Sequence, residues 1–188
     1  MTNNEEHDVE RLYRQHFAEL DRHGLNLCGD EELVKDCIQD FFAHLLAGQS
    51  LLSRVDNMRS YLFASIRHGL YAALDKQYRQ DSLDADAPFD LQVTDEELAR
   101  LFDRDDESLR MARRLRGAFR KLNANQRQAV YLRYVKGFSW DEIGMILHIA
   151  PHSCMNLVSR AVSKLRDLLS LSLLGLFLGD AWMFPLFF

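Results

Sequence analysis

Apolar residues recur every three to four positions along most of the chain, and that period predicts helices throughout. In 8–27, Leu12, His16, Phe17 and Leu20 share one face, and Gly24 and Gly29 punctuate the end. Segment 31–47 carries a broad apolar face of Leu33, Val34, Cys37, Ile38, Phe41, Phe42, Leu45 and Leu46, with Asp30 placed to cap its start. Residues 48–57 have turn residues and no period, so they read as a loop. A third helix is predicted from about Met58 to Tyr78, with Leu62, Ile66, Gly69, Leu70 and Ala73 inside. The pattern then lapses, apart from a weak helix around 95–102. It resumes at Glu107 with four helices: SLRMARRLRGAFRKL, NANQRQAVYLRYV, GFSWDEIGMILH and PHSCMNLVSRAVSKLRDLL.

Charge divides the chain at the same place. The net charge of −5 hides an acidic part, residues 1–106 with 11 Lys+Arg against 23 Asp+Glu, and a basic part, residues 107–166 with 12 against 3. Between Gln80 and Asp106 stand ten acids, two arginines and Pro88, the composition of a linker. The fold class expected is therefore all-α: two small helical domains, 8–79 and 107–169, joined by an acidic linker, 80–106, and followed by a hydrophobic tail, 170–188. Cys28, Cys37 and Cys154 form no CxxC, and the 7 histidines no HExxH. No phosphate loop or GxSxG is present. No catalytic residue, metal site or cofactor is assigned, and the chain reads as a non-enzyme. The acidic, polar MTNNEEHDVE is unlike a secretion signal, and a cytoplasmic location fits.

The last two helices carry the most specific pattern. Ser139 stands three residues before Glu142, a capping box, and Pro151 suits the first turn of the next helix. In that helix Cys154, Leu157, Val158, Ala161 and Leu165 share the inner face. The outer face holds His152, Ser153, Met155, Asn156, Ser159, Arg160, Ser163 and Lys164, with no acid between 143 and 166. Short polar groups let a backbone approach a groove closely, while Arg, Asn and Ser bond base edges and phosphates. That is the pattern of a helix-turn-helix; spacing alone also admits an ordinary αα-hairpin.

Residues 107–169, through "LNANQRQAVYLRYVKGFSWDEIGMILHIAP" and "SRAVSKLRDLL", resemble the C-terminal promoter-reading domain of bacterial RNA polymerase sigma factors of the extracytoplasmic-function (ECF) group. Residues 10–79 resemble the same group's N-terminal domain through "LYRQHF", "VKDCIQDFFAHL" and "RSYLFASIRHGL". The chain departs from the family at His152, Ser153 and Cys154 after the proline, at Met155 and Leu157 where basic residues are common, and at Asp75 where an arginine is usual.

The resemblance implies an alternative sigma factor that binds core RNA polymerase and promoter DNA. It assigns His152, Ser153, Met155, Asn156, Ser159, Arg160 and Lys164 to the minus-35 element. To the minus-10 element and its melting it assigns the third N-terminal helix, with Arg59, Phe63, Arg67, Tyr71, Tyr78 and Arg79 on its outer side, and the loop before it. Rings interleaved with cations suit single-stranded DNA, where bases stack and Arg holds the backbone. The acidic outer face of the second helix, Asp36, Gln39 and Asp40, would repel phosphate, and the family docks it on the polymerase. The family also threads the acidic linker through the polymerase RNA path and is commonly held inactive by an anti-sigma factor, often membrane-anchored. The tail, LLSLSLLGLFLGDAWMFPLFF, is too interrupted to span a bilayer and is left as an intramolecular extension, a partner-docking segment or a membrane-surface contact. Two rival readings are a helix-turn-helix regulator acting without a sigma role and a helical adaptor without a DNA role.

Overall fold

In the computed structural model, residues 3–47, 55, 57–81, 91–99 and 106–169 are described. Most of the loop 48–57, the linker stretches 82–90 and 100–105, and the tail 170–188 lie outside them. The described residues form eight α-helices and one π-helical turn, with no strand. They fall into two compact units that do not follow the sequence halves: Met1–Gln92 with Phe138–Pro151, and Val93–Gly137 with His152–Phe188.

The first unit contains α1 (Asn3–Cys28), α2 (Glu31–Ala47), α3 (Met58–Asp81) and α7 (Trp140–Leu147). Gly24 lies within α1 instead of ending it. A Cβ there would stand 2.6 Å from Cγ1 of Val34, so the glycine is what lets α2 approach. Gly29, at φ +72°, takes the left-handed conformation that ends α1, and its N–H donates to the Leu25 carbonyl at 2.8 Å. Asp30 then caps α2, accepting from the Leu33 N–H at 3.0 Å. Asn57 does the same for α3, accepting from the Ser60 N–H at 3.1 Å. Leu20, Leu27, Val34, Ile38, Phe42, Leu62, Ile66 and Leu70 close the core between the three helices. Beyond α3, Leu91 is buried and the Gln92 N–H donates to the Asn26 carbonyl at 2.7 Å, so this part of the acidic stretch is packed against its unit.

Ser139 and Glu142 make the expected reciprocal capping box at the start of α7: the Ser139 N–H donates to Glu142 Oε2 at 2.6 Å, and the Glu142 N–H donates to Ser139 Oγ at 3.3 Å. The helix buries Ile143, Ile146 and Leu147 and ends at His148, a non-glycine residue at φ 55°. The Ile149 N–H closes the turn on the Gly144 carbonyl at 3.1 Å. Gly144 has no space for a side chain, because a Cβ would stand 2.8 Å from the Ile149 carbonyl oxygen.

The second unit contains α4 (Asp95–Ala99), α5 (Asp106–Phe119), α6 (Ala124–Val130), the π turn Tyr131–Val135 and α8 (Pro151–Leu169). Thr94 caps α4 through the Glu97 N–H, and the Glu97 carboxylate accepts from the Thr94 N–H in return. Asp95 pairs with Arg116 of α5 at 3.0 Å, and the buried Glu97 accepts from the Tyr131 hydroxyl at 3.2 Å. Asn123 and Gln126 form a second capping box at α6. The π turn was not expected from the sequence. It follows α6 directly, with the Lys136 N–H reaching back five residues to the Tyr131 carbonyl. It places Tyr131 wholly inside, with its hydroxyl on α4.

Candidate nucleic-acid interfaces

Two helices carry the residues singled out for DNA. In α8, Pro151 occupies the first position, where its missing N–H costs nothing. Cys154, Val158, Ala161, Val162, Leu165 and Leu169 form the buried stripe, while Leu157 is half-buried. This packing leaves His152, Ser153, Met155, Asn156, Ser159, Arg160 and Lys164 all exposed, Met155 by 45%. At the other end Arg114 of α5 donates to the Leu169 carbonyl at 3.5 Å, placing a cation where the helix dipole is negative. The outer face is thus basic and polar, with a thioether among short side chains, and has the chemistry for phosphates and base edges.

The face of α3 differs from the expected one. Phe63 is 0% exposed, so its placement on the outer side is corrected. It packs between His23 of α1, ring centroids 4.6 Å apart, and Phe138, 4.9 Å apart and edge-on. Arg59 is half-buried. Its guanidinium donates to both carboxylate oxygens of Glu19, at 2.6 and 3.1 Å, and lies 4.2 Å over the Phe138 ring. Arg67 lies 4.4 Å over the ring of Tyr71, and both are half-buried. Burial lowers the Arg67 pKa, and the neighbouring Tyr71 opposes that shift. The side chains of Tyr78 and Arg79 lie outside the described residues. Sequence reasoning missed Glu19 and Phe138, because neither is near α3 along the chain.

On α2, Asp36, Gln39 and Asp40 are all exposed. Lys35 beside them is paired with Glu31 at 2.5 Å, which leaves this face acidic. Next to it a cavity of about 800 Å³ opens between α2, α3 and the end of α7, lined among others by Asp40, Phe41, Tyr61, His68 and His148. No group of residues suited to a metal ion occurs among the described residues. No described helix is long and apolar enough to cross a membrane.

Residues 112–165, from α5 through α8, match the family described as sigma-70, region 4. The chain carries a sigma-70 region 4 domain. All seven α8 residues above lie within the matched stretch of that region 4 domain. No curated protein matches the chain. Among solved structures, it is similar to a chain in the co-crystal structure of the sigma factor RpoE in complex with the anti-sigma factor NepR from Bartonella quintana. That likeness has a TM-score of 0.60 and 23% identity, and covers 88% of this chain and 98% of that one. Because the likeness covers most of both chains, the helical fold outside region 4 is also similar to that of the chain in that complex.

Proposed function

We propose that the protein is an alternative RNA polymerase sigma factor of the ECF group, which binds core polymerase, reads a promoter and helps to melt it. The observation that carries this is the exposed face of α8, free of acids from 143 to 166, inside a region 4 domain. In this reading α8 enters the major groove at the minus-35 element. Arg160 and Lys164 meet phosphate or guanine, while Asn156, Ser159 and the small residues of the first turn approach base edges. The acidic face of α2, with Asp36, Gln39 and Asp40, docks on core polymerase. The outer side of α3, with Arg67, Tyr71, Tyr78 and Arg79, meets the opened minus-10 strand. Residues 8–79 and 107–169 are the two working domains, and 80–106 the acidic connector. The chemistry belongs to the polymerase, so the protein is not itself an enzyme and works in the cytoplasm. The likeness to RpoE, solved with an anti-sigma factor, supports an anti-sigma partner here as well.

Run-off transcription with core polymerase and a genomic promoter library tests the proposal. The expected result is a discrete set of transcripts that needs this protein. Specific promoter binding without co-purifying polymerase and without transcripts would instead make it a helix-turn-helix regulator.

A further inference from the structure

The outer face of α8 has one feature that phosphate binding does not use. Among the described residues only Met145, Ile149, Met155 and Leu168 are large, apolar and exposed. Of these, Met155 alone lies on the reading face of α8. Single exposed apolar side chains are common on protein surfaces, so exposure by itself assigns nothing. The surroundings of Met155 say more. The buried stripe of α8, from Cys154 through Val158 and Ala161 to Leu165, is complete without it. Beside it on the outer side stand His152, Ser153, Asn156 and Ser159, all exposed. The unbranched thioether reaches past the two serines, so it is free to meet whatever approaches this face.

Its place along the helix matters as well. Met155 is four residues, about 6 Å along the axis, from Pro151 at the start of α8. The first lysine or arginine of the helix, Arg160, comes at about 13 Å. In a helix-turn-helix the N-terminal residues of the second helix meet base edges, and the commonest specific contact is an arginine or lysine on guanine. Residues 151–159 contain neither cation, so they cannot make it. They offer instead the amide of Asn156, which matches adenine N6 and N7, and the apolar side chain of Met155. The apolar group that a base pair presents in the major groove is the thymine methyl. A flexible, polarizable thioether adapts to such a surface.

We propose that Met155 is a specificity-determining residue that packs on a thymine methyl in the minus-35 element, beside an adenine read by Asn156. The proposal rests on the reading of α8 as the minus-35 helix and deepens it. The N-terminal half of α8 selects A·T pairs through one apolar and one amide contact, and any guanine contact falls to Arg160 and beyond. Burial of a single thymine methyl corresponds to about fourfold in affinity.

The test uses holoenzyme assembled from the full chain and core polymerase, and duplexes of a promoter recovered in the run-off assay. Each thymine of the minus-35 element, on either strand, is replaced in turn by deoxyuridine, which lacks only the 5-methyl group. For the unaltered protein one of these replacements should weaken binding about fourfold. Met155→Ala puts a strong helix former at an exposed site, so folding is safe. That variant should bind the parent duplex about fourfold more weakly, or worse, and should be indifferent to the same replacement. Met155→Leu should keep the sensitivity. An unaltered protein indifferent to every replacement would overturn the contact, as would a Met155→Ala protein with undiminished sensitivity. So would a Met155→Ala defect confined to assembly with core polymerase. Failure of the underlying reading has a different signature. If α8 is the minus-35 helix, base-pair exchanges elsewhere in the element still weaken binding when every methyl is dispensable; indifference to all exchanges would overturn that reading as well.

Discussion

Gly24→Ala puts one carbon atom into the α1–α2 crossing, and its effect can be worked through. In a helix interior the exchange alone should stabilise by about 0.8–1.0 kcal/mol. Here the new Cβ would stand 2.6 and 2.9 Å from the two γ-methyls of Val34, which is 0% exposed and, being β-branched, has little rotamer freedom to retreat. Overpacking of this kind costs about 1–3 kcal/mol, so the net change is a loss of up to about 2 kcal/mol. Val34→Ala alone deletes two buried methyl groups, about 1.6 kcal/mol of transfer with a cavity cost added. In the double variant the methyl carbon introduced at position 24 enters the space vacated at Val34. That protein should be about 1–2 kcal/mol more stable than the two single losses summed. Urea melts of the four proteins give this double-mutant cycle. A Gly24→Ala protein stabilised by its full helix-propensity gain, or a cycle additive within about 0.5 kcal/mol, would refute the close crossing. Because Asp36 and Asp40 lie on the displaced helix, the single Gly24→Ala protein should also bind core polymerase more weakly.

Arg160→Ala should weaken promoter binding and reduce the slope of log affinity against log salt by about 1, read from fluorescence anisotropy at several salt concentrations; an unchanged slope would show that this face of α8 is not on phosphate. Asp36→Arg combined with Asp40→Arg should abolish co-purification with core polymerase while circular dichroism stays native, since both side chains are exposed and their loss leaves no hole. His148→Gly should raise the midpoint of thermal unfolding, because φ 55° costs a histidine about 1 kcal/mol that glycine avoids; a lower midpoint would mean that its contact with His68 outweighs the strain. Ser139→Ala should cost about 1 kcal/mol through loss of the capping box, measured by denaturant unfolding.

The amino-acid sequence by itself determined the features that depend on neighbours a few residues apart. Asp30 before an apolar run, Ser139 three residues before Glu142, and Pro151 at the head of a helix each act through backbone N–H groups within one turn. The caps and helix starts could therefore be read directly. The outer face of α8 was legible for a related reason: its apolar stripe is narrow and regular, so the opposite side follows from the helical period. On α3 that reasoning fails. Leu62, Phe63, Ile66 and Leu70 are joined by Tyr61 and Tyr71, and apolar or aromatic groups surround the helix, so period alone does not decide which ring faces out. The tertiary structure decided it. His23 of α1 and Phe138, seventy-five positions away along the chain, enclose Phe63, and Glu19 takes the guanidinium of Arg59. Gly24 marks the same limit: as one residue it reads as a helix stop, and only the presence of Val34 against it shows that it makes room for a second helix. Contacts between residues distant in sequence depend on how elements pack, and packing is a property of the whole core, which no local pattern encodes.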